Sequence, residues 1–221
     1  MEKILRKLIW LLLAAPAIYL AIAWNSIPET VPLHYTLKGD IDRYGNKSEL
    51  IPGTFILMVV SVLVYLLLPQ IYRVDPKKYA AENKSRLHRI AFCISVFVAA
   101  VACLLIYSVS RGNIAFGVRF IMAGAGLLIA VAGNYIYTIK PNYYAGIRLP
   151  WTLNNDENWR STHLLAGKLF FAGGLIVAVI SLFSPLIVSL ITLAVVMLLA
   201  ATTIGVYSYR LNKHLEHVAK S

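Results

Sequence analysis

Six long runs of apolar residues, separated by short polar segments, make up most of the chain: Leu8 to Trp24, Ile51 to Tyr72, Ile90 to Val109, Gly117 to Ile139, Leu164 to Phe183 and Pro185 to Tyr209. A helix needs about 20 apolar residues to cross a hydrocarbon core of about 30 Å. Inside lipid a backbone must also satisfy its own hydrogen bonds, which a helix does internally. The pattern predicts an all-α, polytopic membrane protein with six transmembrane helices and no room for a soluble domain. Composition agrees, at 59% hydrophobic and 14% charged residues, against roughly 25% charged in soluble domains.

Lys and Arg in short loops are retained on the cytoplasmic side. On one side fall Lys3, Arg6 and Lys7 of the N-terminal arm, and Arg73, Lys77, Lys78, Lys84, Arg86 and Arg89 of the second loop. Lys140, Arg148, Arg160 and Lys168 around the fourth loop, and Arg210, Lys213 and Lys220 of the tail, join them. Lys38, Arg43, Lys47, Arg111 and Arg119 fall on the other. Both termini are therefore expected in the cytoplasm, with the first loop outside. The net charge of +11 sits at membrane edges, which reads as anchoring to anionic lipid headgroups. A direct nucleic-acid partner would need basic residues clustered on a folded element, so none is expected. The basic N-terminus and the sequence Ala21-Ile22-Ala23 imitate a cleaved signal peptide, but the apolar run is long for one and a retained first span is expected. Cys93 and Cys103 lie on one predicted helix, about 15 Å apart at 1.5 Å per residue, too far to pair within it.

Three units follow: a two-span module over residues 1–72, a basic cytoplasmic loop over 73–89 that is expected to lie on the inner membrane surface, and a four-span module over 90–221. The first loop has the grammar of an ordered extracellular cap. Pro28 and Pro32 favour extended backbone, Val31, Leu33 and Tyr35 alternate as in a short strand, and Gly39-Asp40 and Gly45-Asn46 are turn dipeptides. His34 with Asp40 and Asp42 could be drawn as a metal site, but the string lacks the remaining positions of a calcium loop, and zinc would need further ligands. The acids are expected to cap turns, and no metal or other cofactor is expected.

The fourth loop concentrates unusual residue types. Gly146 and Pro150 punctuate an extended stretch in which Arg148 and Trp151 are close enough for a guanidinium–indole contact, with Thr152 following. Asn154 and Glu157 make a capping box, and a helix starting there puts Trp159 and His163 on one face at i, i+4 spacing. That helix continues through Gly167 into the fifth span. Belt tryptophans and positive-inside anchors would explain the composition, but not so many special residues together, and a structural or binding role for the loop is expected.

No Asp, Glu, Lys or His falls in the central part of a span, the usual mark of an ion pathway. Asn134, beside Gly133, is expected as a buried amide bonding between helices, and Gly124, Gly126, Gly133, Gly173 and Gly174 allow close helix packing. No nucleophile-elbow, zinc-protease or phosphate-loop pattern occurs. His163 with Asp156 or Glu157 could be drawn as an acid–base pair, but acids at a helix start serve more simply as caps, so an enzyme is not expected.

The run Gly146-Ile147-Arg148-Leu149-Pro150-Trp151-Thr152-Leu153, with Trp159, His163 and Gly167, resembles the signature of the SdpI family of bacterial membrane proteins. The first loop, with Ile27-Pro28, Val31-Pro32, His34, Gly39, Asp42, Gly45 and Lys47, resembles a short membrane-associated domain of unknown function that often precedes it. The resemblance implies a multi-pass protein of the bacterial plasma membrane that protects its cell against a secreted toxic peptide. It also implies a second role, holding a cytoplasmic transcriptional repressor at the membrane. The competing class is a small transporter or flippase for a peptide or lipid. Six spans suit it, but the internal repeats and broken helices common in transporters are not evident.

Overall fold

The computed structural model describes residues 2–36, 41–77, 79–112 and 114–218. Among these residues seven α-helices and one hairpin, joined in part by short 3-10 turns, follow in order: α1 (Glu2–Ala23), β1 (Thr30–Tyr35), β2 (Ile41–Asn46), α2 (Leu50–Leu67), α3 (Lys84–Arg111), α4 (Ile114–Ile136), α5 (Pro150–Asn154), α6 (Asp156–Phe183) and α7 (Leu186–Val218). All but the short α5 are long and apolar enough to cross a membrane, which gives six candidate spans. The chain is thus a multi-pass helical membrane protein, to which the first loop adds a two-stranded antiparallel hairpin with Thr30 opposite Asn46 and Val31 opposite Gly45.

The helix ends follow local chemistry. α3 stops at Gly112, whose φ of 63° is the left-handed cap conformation that glycine adopts without a Cβ penalty. Ser184-Pro185 turns α6 directly into α7, since proline cannot continue a helix interior. α3 begins before the apolar run at Ile90, and α7 continues past Tyr209, so charged turns extend both helices beyond their hydrophobic parts.

Two three-helix groups meet where α3 packs on α4. Ile9 and Leu13 of α1, Tyr65 of α2 and Ala99 of α3 form one buried cluster. Ile136, Ala166, Ala200 and Ile204 join α4, α6 and α7 in another. The closest pair is α4 with α6: a Cβ placed on Gly126 would stand 2.7 Å from the Gly174 carbonyl oxygen, and one on Gly133 would stand 2.8 Å from that of Gly167. Small residues let helix backbones touch where lipid supplies no hydrophobic drive for association. At the far end of α1 and α3, Leu20, Ala23, Ile106 and Val109 close over Ile27 and Val31, and so tie the root of the hairpin to the helices. The bundle therefore has a hairpin end and, opposite it, an end formed by the second and fourth loops.

Candidate functional site

The fourth loop folds around a knot of buried polar side chains at the start of α6. Asn155 is the N-cap of that helix, its side chain accepting from the amides of Glu157 and Asn158. The predicted cap at Asn154 is thus one residue early, because Asn154 closes α5 instead. Trp159 and His163 stack as their i, i+4 spacing requires, with ring centroids 4.0 Å apart. Both are fully buried. The Trp159 indole N–H donates to the Ile139 carbonyl at 2.8 Å, fastening the turn that follows α4. The Ile147 amide donates to His163 Nε2 at 2.9 Å, which makes Nε2 an acceptor and leaves Nδ1–H to donate to the Trp159 carbonyl at 2.8 Å. His163 is therefore held as one neutral tautomer.

The rest of the signature locks the same turn. Gly146 has φ +103°, and a Cβ there would collide with the His163 ring and lie 3.3 Å from Trp159 Cζ2. Pro150 occupies the first turn of α5, where its missing N–H costs nothing. The Thr152 hydroxyl contacts the carbonyls of Ile147 and Leu149 and accepts from the Leu149 amide at 3.0 Å. Trp151 does not stack on Arg148. Its indole N–H donates to Ser208 Oγ of α7 at 3.0 Å, with its ring edge-on to Tyr209, while Arg148 Nη1 donates to the Tyr143 carbonyl at 2.9 Å and stays exposed. Gly167 lies against the Gly133 carbonyl, in the α4–α6 seam.

Sequence reasoning missed several members of this knot. Asn158 Nδ2 donates to the Ser208 carbonyl at 3.0 Å and its Oδ1 accepts from the Thr162 hydroxyl at 2.9 Å. The i, i+4 spacing of Asn158 and Thr162 could have flagged that pair. The second loop is also a structural partner of the fourth. Lys77 Nζ donates to the Leu153 carbonyl at 2.7 Å. Asp75 accepts from the Tyr143 amide at 3.2 Å. Asn83 pairs with both backbone groups of Lys140, at 2.9 and 3.1 Å. Asn142 holds the turn from the inside by accepting from the amides of Tyr144 and Ala145.

At the hairpin end, His34 Nδ1 sits 2.7 and 2.9 Å from the two Asp42 oxygens, with both side chains largely in solvent. Lys47 is only 14% exposed: it pairs with Glu29 at 2.8 Å and lies 5.1 Å from the centre of the Trp24 ring. Gly45 leaves room for the Leu33 and Glu49 side chains. Pro28 is exposed, while Pro32 is partly buried and faces Tyr44 across the hairpin. Gly39 and Asp40 lie outside the described residues, and among those described no three His, Cys, Asp or Glu side chains converge on a metal position. Asn134 differs from expectation: it is exposed on the outside of α4, because the adjoining Gly133 takes the packed face.

Residues 138–209, spanning the fourth loop, α5, α6 and α7 as far as Tyr209, match the model of the SdpI/YfhL protein family. Ahead of this matched region, residues 11–58, covering most of α1, the hairpin and the start of α2, match a domain of unknown function, DUF1648. The chain is 27% identical over 194 residues to Immunity protein SdpI of Bacillus subtilis (strain 168), covering 85% of this chain and 87% of that protein. No solved structure matches. The buried knot lies wholly within the region that matches the SdpI/YfhL model, and its clamp from the second loop comes from outside it.

Proposed function

We propose that this chain is an immunity protein of a bacterial plasma membrane, with both termini cytoplasmic, that protects its cell against a secreted antimicrobial peptide. The observation that carries the reading is the likeness to an immunity protein along nearly the whole of both chains. The site chemistry is consistent with a binding protein. The polar side chains of the knot spend their hydrogen bonds on each other and on the backbone, and His163 has both ring nitrogens engaged. A catalytic base needs a nitrogen within reach of substrate.

In this reading the hairpin end, with exposed His34 and Asp42, meets the peptide or the lipid it acts on. The fourth loop at the cytoplasmic end presents Arg148, Tyr143 and Tyr144 to a regulator, such as a transcriptional repressor held at the membrane. Coupling the two requires a second arrangement of the bundle that the peptide favours. The test is survival of a Bacillus subtilis strain 168 derivative deleted for its Immunity protein SdpI, carrying this chain or an empty vector, in co-culture with the undeleted parent. Protection by this chain supports the reading, and killing equal to the vector strain overturns it. Protection that collapses with the proton gradient would instead assign the chain to transport.

A further inference from the structure

The seam between α3 and α4 opens to the outside of the bundle as a groove with two chemically distinct parts. At the loop end it is a polar recess of about 490 Å³ lined by Glu82, Ser85, Arg86, Arg89 and Asn134 among others. One helical turn further toward the middle of the same two helices it becomes an apolar recess of about 230 Å³ lined by Ile90, Cys93, Ile94, Leu128, Val131 and Ala132. The polar part lies at the ends of two candidate spans and the apolar part within them, so the groove runs from headgroup depth into hydrocarbon depth.

The polar part holds unspent hydrogen-bonding capacity. Arg86 uses one nitrogen on the Glu82 backbone carbonyl, at 2.8 Å. Among the described residues, Arg89 and Asn134 have no hydrogen-bond or ion-pair partner, and the Glu82 carboxylate has no cation within ion-pair distance. Two guanidinium groups against one carboxylate leave a single positive charge. A monoanionic phosphodiester neutralises it, with the planar guanidinium forks matched to phosphate oxygens. Asn134 and Glu82 can then take the hydroxyls of a glycerol headgroup. We propose that the α3–α4 groove is a binding site for one anionic glycerophospholipid, its phosphate between Arg86 and Arg89 and the start of one acyl chain between Ile94 and Val131. Basic recesses between transmembrane helices recognise anionic headgroups in this way, and the apolar recess directly beneath distinguishes a lipid from a free phosphate. The site is independent of the immunity reading.

The experiment is a native mass-spectrometric titration of the full chain, delipidated in detergent, with phosphatidylglycerol and with phosphatidylcholine of the same acyl chains. The site predicts tighter retention of phosphatidylglycerol, and about 30-fold weaker retention in the Arg86→Gln, Arg89→Gln double variant at about fivefold per cation. Ala132→Phe, which fills the apolar recess without touching a charge, also weakens retention. Lys84→Gln, whose ammonium is turned toward the Tyr72 ring, leaves it unchanged. Equal retention of the two lipids, or a Lys84→Gln loss as large as that of the double arginine variant, would overturn the site in favour of general charge attraction. Competition by glycerol 3-phosphate at the same concentration would overturn the role of the apolar recess.

Discussion

The two glycines with positive φ among the described residues provide an internal comparison that measures how much the buried knot contributes. At Gly146 (φ +103°) a methyl group meets the His163 ring and Trp159, whereas at Gly112 (φ +63°) nothing lies within 4 Å of the added carbon. Gly112→Ala therefore adds only the left-handed backbone cost, about 1–2 kcal/mol. Gly146→Ala adds strain of about 1–3 kcal/mol for its rarer conformation. It also displaces His163 Nε2, leaving the Ile147 amide without its acceptor, for about 1–3 kcal/mol more. The expected loss at Gly146 is thus about 2–6 kcal/mol, against about 1–2 kcal/mol at Gly112. The assay is unfolding of the detergent-solubilised protein by sodium dodecyl sulfate, followed by tryptophan fluorescence. Equal losses for the two variants, or a wild-type midpoint for Gly146→Ala, would refute the claim that the signature glycine exists to admit the histidine ring.

Three further outcomes follow from the same geometry. Gly133→Val, whose side chain would enter the Gly167 and Phe171 backbone, separates α4 from α6 and should sharply lower the yield of folded protein in size-exclusion chromatography, whereas Gly53→Ala, in open space inside α2, should leave the yield unchanged or raise stability by up to about 1 kcal/mol. Lys77→Met removes the charge-assisted bond to the Leu153 carbonyl. The fourth loop then opens more often, and trypsin cutting after Arg148 should rise about tenfold. The pair His34→Ala and Asp42→Ala breaks an exposed contact with side chains 67% and 43% accessible. It should change stability by less than about 1 kcal/mol, as read from the same unfolding midpoint, so any loss of protection in that variant reports on recognition.

The spans were legible because apolar length depends on no distant residue, and the Trp159–His163 stack was legible because helical spacing alone brings the two rings together. The Asn154 assignment missed by one residue because two asparagines stand side by side and only the break between α5 and α6 selects Asn155 as the cap. The clamp from the second loop was not legible. Lys77 and Asn83 look like solvated loop residues, and the backbone groups they bind lie 76 and 57 positions away in the chain. Arg148 and Trp151 are near in sequence, yet the turn into α5 sends one to solvent and the other to Ser208. Asn134 was misplaced for a related reason. Composition marks α4 as a span, but the face it buries is chosen by Gly126 and Gly133 against α6, and that choice leaves the neighbouring amide outside.

Survival in co-culture tests the central claim most directly, using the strain lacking its own Immunity protein SdpI and comparing wild type, the His34→Ala, Asp42→Ala variant and Arg148→Ala, each verified in the membrane fraction. The account predicts protection by wild type and by Arg148→Ala, with loss of protection in the hairpin variant despite its unchanged stability. Killing of the wild-type strain at the rate of the empty-vector strain would contradict an immunity role, and full protection by the hairpin variant would contradict recognition at that end of the bundle.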